Sequence, residues 1–379
     1  MATYLIEGRL HGFAKRYARA LIWEIANKFN VRGAVKYRPV PHITLAGAFT
    51  THNVKEVVRE IKEIGEKYEP VKFKIKGFDW FDDLEGKKVI YLKVYPSEEL
   101  IKLRKELAEQ LSKWAKLKKF DMEDDFIFHI TIAFKDLDKK FKKIWKYLQE
   151  KEIVEINSSI FRLTLLRNSK IMYEYDMFFK KLLNRREALN KNMLKYELEL
   201  LHDTPPTIVL DNQNLDRVYL IGDTHFDHKN IIKYCNRPFK NVREMNKKLM
   251  KNWNKIVRED DLVFFLGDLT FGRKRYKMKY WLGKLHGRIY FIQGNHDRKF
   301  PPDTPYLKRC IVKYDDKEFM LIHKPEDAGD WKGWIIHGHH HNNYPKYYPF
   351  INRENRTINV SVEMIEYQPI KFSSILSQI

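Results

Sequence analysis

Five times in the second half of this 379-residue chain, a short apolar run ends on a side chain able to hold a metal ion. Val218–Ile221 leads into Gly222, Asp223, Thr224 and His225, and Leu262–Leu266 into Gly267 and Asp268. Ile289–Ile292 leads to Gly294, Asn295, His296 and Asp297; Phe319–Ile322 closes on His323; Trp334–Ile336 closes on His337, Gly338, His339, His340 and His341. Apolar runs this short, closed by Gly, read as buried strands. In layered α/β folds, ligands collect where such strands end. The chain is therefore expected to be α/β, with a C-terminal half that chelates metal and catalyses. Carboxylates, imidazoles and one amide suit Mn²⁺, Fe²⁺, Zn²⁺ or Ni²⁺ rather than Ca²⁺ or a thiolate cluster. Structural zinc, which favours cysteine and a closed four-ligand shell, does not fit this set.

A chain of this length exceeds the usual span of one core, so two domains are expected. The formal net charge of +21 comes from basic residues spread along the chain. Such a surface attracts polyanions, nucleic acid first and an anionic membrane second. A Lys/Glu-rich thermophile surface is the plainer explanation. Cys235 and Cys310 cannot make a disulfide framework. The N-terminus lacks a signal-peptide apolar core, and no apolar run approaches the roughly 20 residues of a membrane helix. The expectation is a soluble cytoplasmic protein.

Before about residue 180, strand patterns alternate with amphipathic helices. Phe13, Tyr17, Leu21, Ile25 and Phe29 keep helical spacing, as do Val57, Ile61, Ile64 and Tyr68, then Leu100, Leu103, Leu107 and Leu111, and again Phe141, Ile144 and Leu148. Strand-like segments are Val40–Leu45, Val71–Ile75, Val89–Val94, Phe126–Phe134 and Ile160–Leu166. Helix followed by strand recurs around two similar motifs, which suggests two related lobes. A charged helical stretch ended by His202, Asp203, Thr204, Pro205 and Pro206 reads as a connector. The expected division is a domain over 1–183, a helical linker over 184–214 and a second domain over 215–379.

Pro41-His42-Ile43-Thr44-Leu45 and Phe128-His129-Ile130-Thr131-Ile132 are one phrase written twice. Strand alternation sends His and Thr to one face and the branched apolar residues to the other. Two such strands side by side would present two imidazoles and two hydroxyls to one groove. One His could take a proton from water and the other give one to a leaving oxygen, while the Thr hydroxyls hold phosphoryl oxygens. A single His-x-Thr means little; the duplication makes the signal.

With both motifs intact, residues 1 to about 183 resemble the 2H phosphoesterase superfamily, in its RNA 2′,3′-cyclic phosphodiesterase (2′-5′ RNA ligase) branch. The resemblance implies metal-independent opening of a 2′,3′-cyclic phosphate to a 2′-phosphate, with His42 as proton donor and His129 as acceptor. Ligation, the reverse reaction, is the less favoured direction. Arg38, just before the first motif, is a candidate phosphate contact.

From about Leu215 onward, Asp-x-His, Gly-Asp, Gly-Asn-His-Asp and Gly-His-x-His occur in the order of the calcineurin-like metallophosphoesterases, which this half resembles. The phrases from Thr224 to Ile232, from Asn236 to Phe239 and from Ile358 to Glu363 are similar to a small bacterial and phage branch. The resemblance implies an α/β/β/α sandwich and two metal ions. One takes Asp223, His225, Asp268 and His341; the other takes Asp268, Asn295, His323 and His339. It makes His296 the proton donor to the leaving oxygen, with Asp297 orienting it. His228, Arg237, Arg298 and His337 are candidates for substrate contact, whereas His340 should point away from its neighbours on an extended segment. The basic run Arg273, Lys274, Arg275, Lys277 and Lys279 and the aromatic run Tyr344, Tyr347, Tyr348 and Phe350 could contact a polynucleotide, or could be a solvated helix face and a packed loop.

Together the halves suggest RNA end processing: the first site opens a cyclic end and the second removes the phosphate. Two rival readings are activity on small cyclic or signalling nucleotides, and a metal-dependent nuclease whose N-terminal half only clamps RNA.

Overall fold

The computed structural model describes residues 2–36, 40–83, 85–137, 139–201, 204–271, 275–297, 300–301 and 304–379. The chain divides into two compact units, Met1–Glu150 with Glu155–Thr204, and Lys151–Val154 with Pro205–Ile379. The helices Arg185–Ala188 and Lys191–Leu200, in the stretch read above as a connector, fall in the first unit. Their anchor is ionic: Glu197 is fully buried against Arg162.

The first unit contains β1 (Thr3–Arg9), β2 (His42–Thr50), β3 (Val71–Asp82), β4 (Lys88–Pro96), β5 (His129–Phe134), β6 (Ile153–Ile160), β7 (Arg162–Arg167), β8 (Lys170–Asp176) and β9 (Lys181–Asn184). They form antiparallel runs ordered β2-β1-β7-β8-β9 and β6-β3-β4-β5. The four expected helices are Gly12–Phe29, Val54–Lys67, Glu98–Ser112 and Phe141–Gln149. Each buries its apolar stripe, for example Val57, Ile61 and Ile64 on the second, and Ser97 caps the third by accepting from Leu100 N–H.

Two expectations are corrected. The run Ile160–Leu166 is not one strand, because the chain passes from one sheet to the other at Phe161. The two His-x-Thr strands do not pair side by side: β2 lies at the edge of one sheet and β5 at the edge of another. Periodicity reports which face a residue takes, and is silent about which strand lies next to it.

The second unit contains β10 (Thr207–Leu210), β11 (Val218–Ile221), β12 (Leu262–Phe265), β13 (Arg288–Ile292), β14 (Tyr306–Leu307), β15 (Arg309–Tyr314), β16 (Lys317–Ile322), β17 (Trp334–His337), β18 (Ile351–Asn352), β19 (Thr357–Asn359) and β20 (Ile370–Lys371). One sheet runs β14-β13-β12-β11-β20, with β11 to β14 parallel; the other runs β18-β19-β17-β16-β15-β10. All four residues of β11 and of β12 are buried, as strands covered on both faces require. Register sets Ile221 beside Phe265 and Phe265 beside Phe291, so the loops carrying Asp223, Asp268 and Asn295 leave at one level. In the other sheet Leu321 lies beside Ile336, which brings His323 level with His337 and the histidines after it. The protein is thus mixed α/β. Among the described residues, no helix is long and apolar enough to cross a membrane.

Candidate active sites

In the first unit, register places Arg9 opposite His42 and Glu7 opposite Thr44; on the other sheet, Lys93 stands opposite His129 and Tyr91 opposite Thr131. The two histidines are held alike. His42 Nδ1 lies 2.8 Å from the Val40 carbonyl, and His129 Nδ1 lies 2.8 Å from the Ile127 carbonyl. A carbonyl only accepts, so each Nδ1 carries hydrogen and each Nε2 is left for chemistry. Their surroundings differ. Glu7 Oε2 is 3.6 Å from His42 Nδ1. His129 instead sits among the rings of Phe81 and Tyr91, with centroids at 5.0 and 5.4 Å. Burial holds His129 below its usual value of 6.5 and the charge of His42 adds to this, against the bond to Ile127. Arg38 lies outside the described residues.

In the second unit, Asp223, His225 and His341 converge, as do Asp223, Asp268 and His323, all buried. His225 Nε2 is 3.6 Å from Asp268 Oδ2, His323 Nε2 is 3.5 Å from that same oxygen, and His341 Nε2 is 3.9 Å from Asp223 Oδ1. Asn295 Oδ1 is 2.9 Å from His323 Nε2, and the His339 ring is 5.1 Å from the His323 ring. His323 Nδ1 donates to the Leu266 carbonyl and His341 Nδ1 faces the Glu363 carboxylate, so both turn Nε2 inward. Asp223, His225, Asp268, His339 and His341 all have left-handed backbone, with φ between 48° and 71°. Each such residue costs about 1–3 kcal/mol. Two glycines make the cradle: a Cβ on Gly294 would lie 2.2 Å from Asp268 Oδ1, and one on Gly338 would lie 2.2 Å from Asp223 Oδ2.

The residues fit a metal. Asp223 Oδ1 and His225 Nε2 are buried without a hydrogen-bond partner, which is costly unless something binds them. The donors are oxygen and imidazole nitrogen, suited to a divalent transition ion. The buried charges already act on one another. Burial opposes ionisation of Asp268, but the bond and charge of His323, with the charge of His225, hold it well below the usual carboxylate range. Burial likewise opposes charge on His323 and His341, yet the carboxylates of Asp268 and Asp223 push them up to about 9 and about 11.

Residues 22–170 match the family described as the 2′-5′ RNA ligase superfamily, and residues 216–370 match the calcineurin-like phosphoesterases. The chain is a fusion of these two families. It is a hydrolase of phosphoester bonds with two phosphoesterase domains. It is 51% identical over 169 residues to the uncharacterized protein MJ1445 of Methanocaldococcus jannaschii, covering 44% of this chain and 93% of that one. It is 30% identical over 133 residues to a putative phosphoesterase of Bacillus pumilus, covering 34% of this chain and 73% of that one. Among solved structures, Usb1 of Kluyveromyces marxianus with uridine monophosphate aligns at 11% identity and a TM-score of 0.29, over 48% of this chain and 97% of that one.

The calcineurin-like domain implies a dinuclear metal site, and the remaining expected residues take definite places around the cluster. His296 is exposed at its lip; its backbone N–H donates to Asp268 Oδ1, and its ring is 5.6 Å from that of His225. Asp297 does not orient His296. Its oxygens accept from the backbone N–H groups of Asp268 (2.6 Å), Gly294 (2.9 Å) and Leu269 (3.3 Å), so it ties two ligand loops together. Burial, with the charge of Asp268, pushes its carboxyl up to about 7.

Arg237 is also no substrate contact. Its wholly buried guanidinium donates to the carbonyls of Asp223 and Thr224 and pairs with Glu363 at 2.7 Å. His337 is fully buried, with Nδ1 on the Gly338 carbonyl, beneath the surface rather than facing it. His228 stacks on Phe271 with centroids 3.8 Å apart. His340 bonds Glu326 and stacks on Tyr348, while Tyr344 and Tyr347 are exposed. Arg298, Arg273 and Lys274 lie outside the described residues.

Sequence reading missed the roles of Glu363 and Ser361. Glu363 joins Arg237 to His341, and Ser361 Oγ donates to Asp223 Oδ2 at 3.0 Å. The signal was the alternation of Asn359, Ser361 and Glu363 inside a phrase noted only as a likeness.

Proposed function

We propose that the protein processes RNA ends in two steps, with residues 1–183 opening a 2′,3′-cyclic phosphate and residues 215–379 removing the resulting 2′-phosphate. The observation that carries the reading is the matched pair His42 and His129, each with Nδ1 committed to a carbonyl and Nε2 available. In the first step a water oxygen bonds to phosphorus and the P–O3′ bond breaks. His129 Nε2 takes the water proton, which its lowered affinity for protons leaves it free to do at neutral pH. His42 Nε2 gives its proton to O3′, and the hydroxyls of Thr44 and Thr131 hold the non-bridging oxygens. No metal enters this step.

For the second step, Asp223, His225, Asp268 and His341 would hold one ion and Asp268, Asn295, His323 and His339 another, with Asp268 shared. Bound there, Mn²⁺ (or Fe²⁺, Zn²⁺ or Ni²⁺) supplies Lewis acidity and neutralises phosphoryl charge. His296 protonates the leaving oxygen from the lip. Asp297 and Arg237 hold the ligand loops in register with each other. The net charge of +21 favours a polyanionic substrate.

The test is product analysis of an oligoribonucleotide ending in a 2′,3′-cyclic phosphate. With chelator present the expected product is the 2′-phosphate; with Mn²⁺ it is the free diol and inorganic phosphate. If a 2′-phosphate end releases no phosphate with Mn²⁺, the two-step scheme is wrong.

A further inference from the structure

We propose that Glu7 is the positioning residue that makes His42, and not His129, the proton donor of the first site. The inference rests on the ring-opening reading of that site and explains an asymmetry that two identical His-x-Thr phrases cannot. Both rings have the same bond from Nδ1 to a backbone carbonyl, so the motifs alone assign no roles. What differs is the strand beside each. On β1, Glu7 is 2% exposed and turns one carboxylate oxygen to Arg9 at 2.7 Å and the other to His42 Nδ1 at 3.6 Å. A buried carboxylate at that distance favours the imidazolium, the form that can give a proton away. On the other sheet no carboxylate takes that place. The charges nearest in register, Lys93 and Asp79, are half-exposed and paired with each other at 3.3 Å, and rings fill the space around His129.

Glu7 is kept ionised by what lies behind it. Thr44, Glu7, Thr164 and Glu174 follow one another across β2, β1, β7 and β8 on one face. Arg9 reaches from Glu7 toward Glu174 at 3.9 Å. Arg162 then pairs with Glu174 (3.0 Å), Asp176 (3.5 Å) and Glu197 (2.5 Å), all buried. Burial, with Asp176 beside it, pushes Glu197 up to about 7, so it accommodates a proton at neutral pH. His11, at the head of the helix Gly12–Phe29, is held neutral by burial, with Lys15, Arg162 and Arg9 adding to the effect. The carboxylates of Glu7, Glu174 and Asp176 are then met by Arg9 and Arg162, and His42 supplies the remaining positive charge. His129 is the one other titratable group facing His42 among the described residues, and it is the neutral partner.

The experiment uses the full chain in chelator with 2′,3′-cyclic uridine monophosphate as probe. The variants are Glu7→Gln, which keeps the shape and the acceptor for Arg9, and Glu7→Asp, which keeps the charge. In Glu7→Gln the alkaline limb of the kcat profile should move down by about one pH unit. The rate at pH 8 then falls about tenfold, with KM and the acid limb unchanged and Glu7→Asp near the parent. A uniform loss at every pH, or no change, overturns the assignment. If the parent protein opens no cyclic phosphate, the ring-opening reading itself fails. The Glu7 contact is then judged from the ¹⁵N signals of the His42 ring: the charged form should persist to higher pH in the parent than in Glu7→Gln, and coincident curves overturn the proposal.

Discussion

The two sites of this chain achieve reactivity in opposite ways. In the 2′-5′ RNA ligase superfamily unit, His42 and His129 sit half-buried on ordinary strands, each with one ring nitrogen satisfied by the backbone two residues earlier. In the calcineurin-like unit, Asp223 and Asp268 are buried together, five ligand candidates have left-handed backbone, and Asp223 Oδ1 and His225 Nε2 lack partners. Proton transfer needs two rings whose affinities differ, and ordinary backbone provides that. Gathering like charges out of water needs a framework that overrides their repulsion and the local strain. Here that framework is Asp297 on three backbone N–H groups and Arg237 on two carbonyls and Glu363.

The contrast can be broken most directly at Asp268. Asp268→Ala should lower Mn²⁺-dependent phosphate release on the order of a thousandfold or more, while ring opening in chelator is untouched. A parallel loss of ring opening would show that the two activities are not separate. His129→Ala should do the reverse, lowering ring opening by about 10²–10⁴-fold and leaving phosphate release from a 2′-phosphate as it was. Glu363→Gln weakens the support of His341 without removing a ligand. Mn²⁺ affinity measured by calorimetry should fall about 10–100-fold, and an unchanged affinity would demote Glu363 to a fold residue.

The smallest effect is one of pH. Because His129 is held below 6.5, it stays neutral as pH falls through that value and is protonated only lower down. The ring-opening rate in chelator should therefore hold level between pH 7.5 and 6.5. A rate already halved at 6.5 would mean that the aromatic surroundings of His129 do not set its charge.

The chemistry was legible wherever it depends on residue type at short spacing. Doubled His-x-Thr, and Asp, Asn and His at the ends of apolar runs, announce themselves because a strand puts its last side chains beside those of its neighbours. Glu7 was invisible for the complementary reason: it is 35 residues from His42 in sequence and meets it only through the pairing of β1 with β2. Asp297 and Arg237 were visible as residues and misread as roles, since a motif does not say whether a polar side chain turns to substrate or to a backbone carbonyl.

What the sequence by itself determined is the set of donors: which imidazoles, carboxylates and hydroxyls are available, and that they end buried strands. The apolar runs and their closing residues dictate that much locally. The tertiary structure alone decided that the two His-x-Thr strands belong to different sheets, that left-handed turns aim the ligands, and which buried charge answers which. Those outcomes depend on strand order and on electrostatics between groups distant in the chain, where the energy lies in the pairing and no single residue carries it.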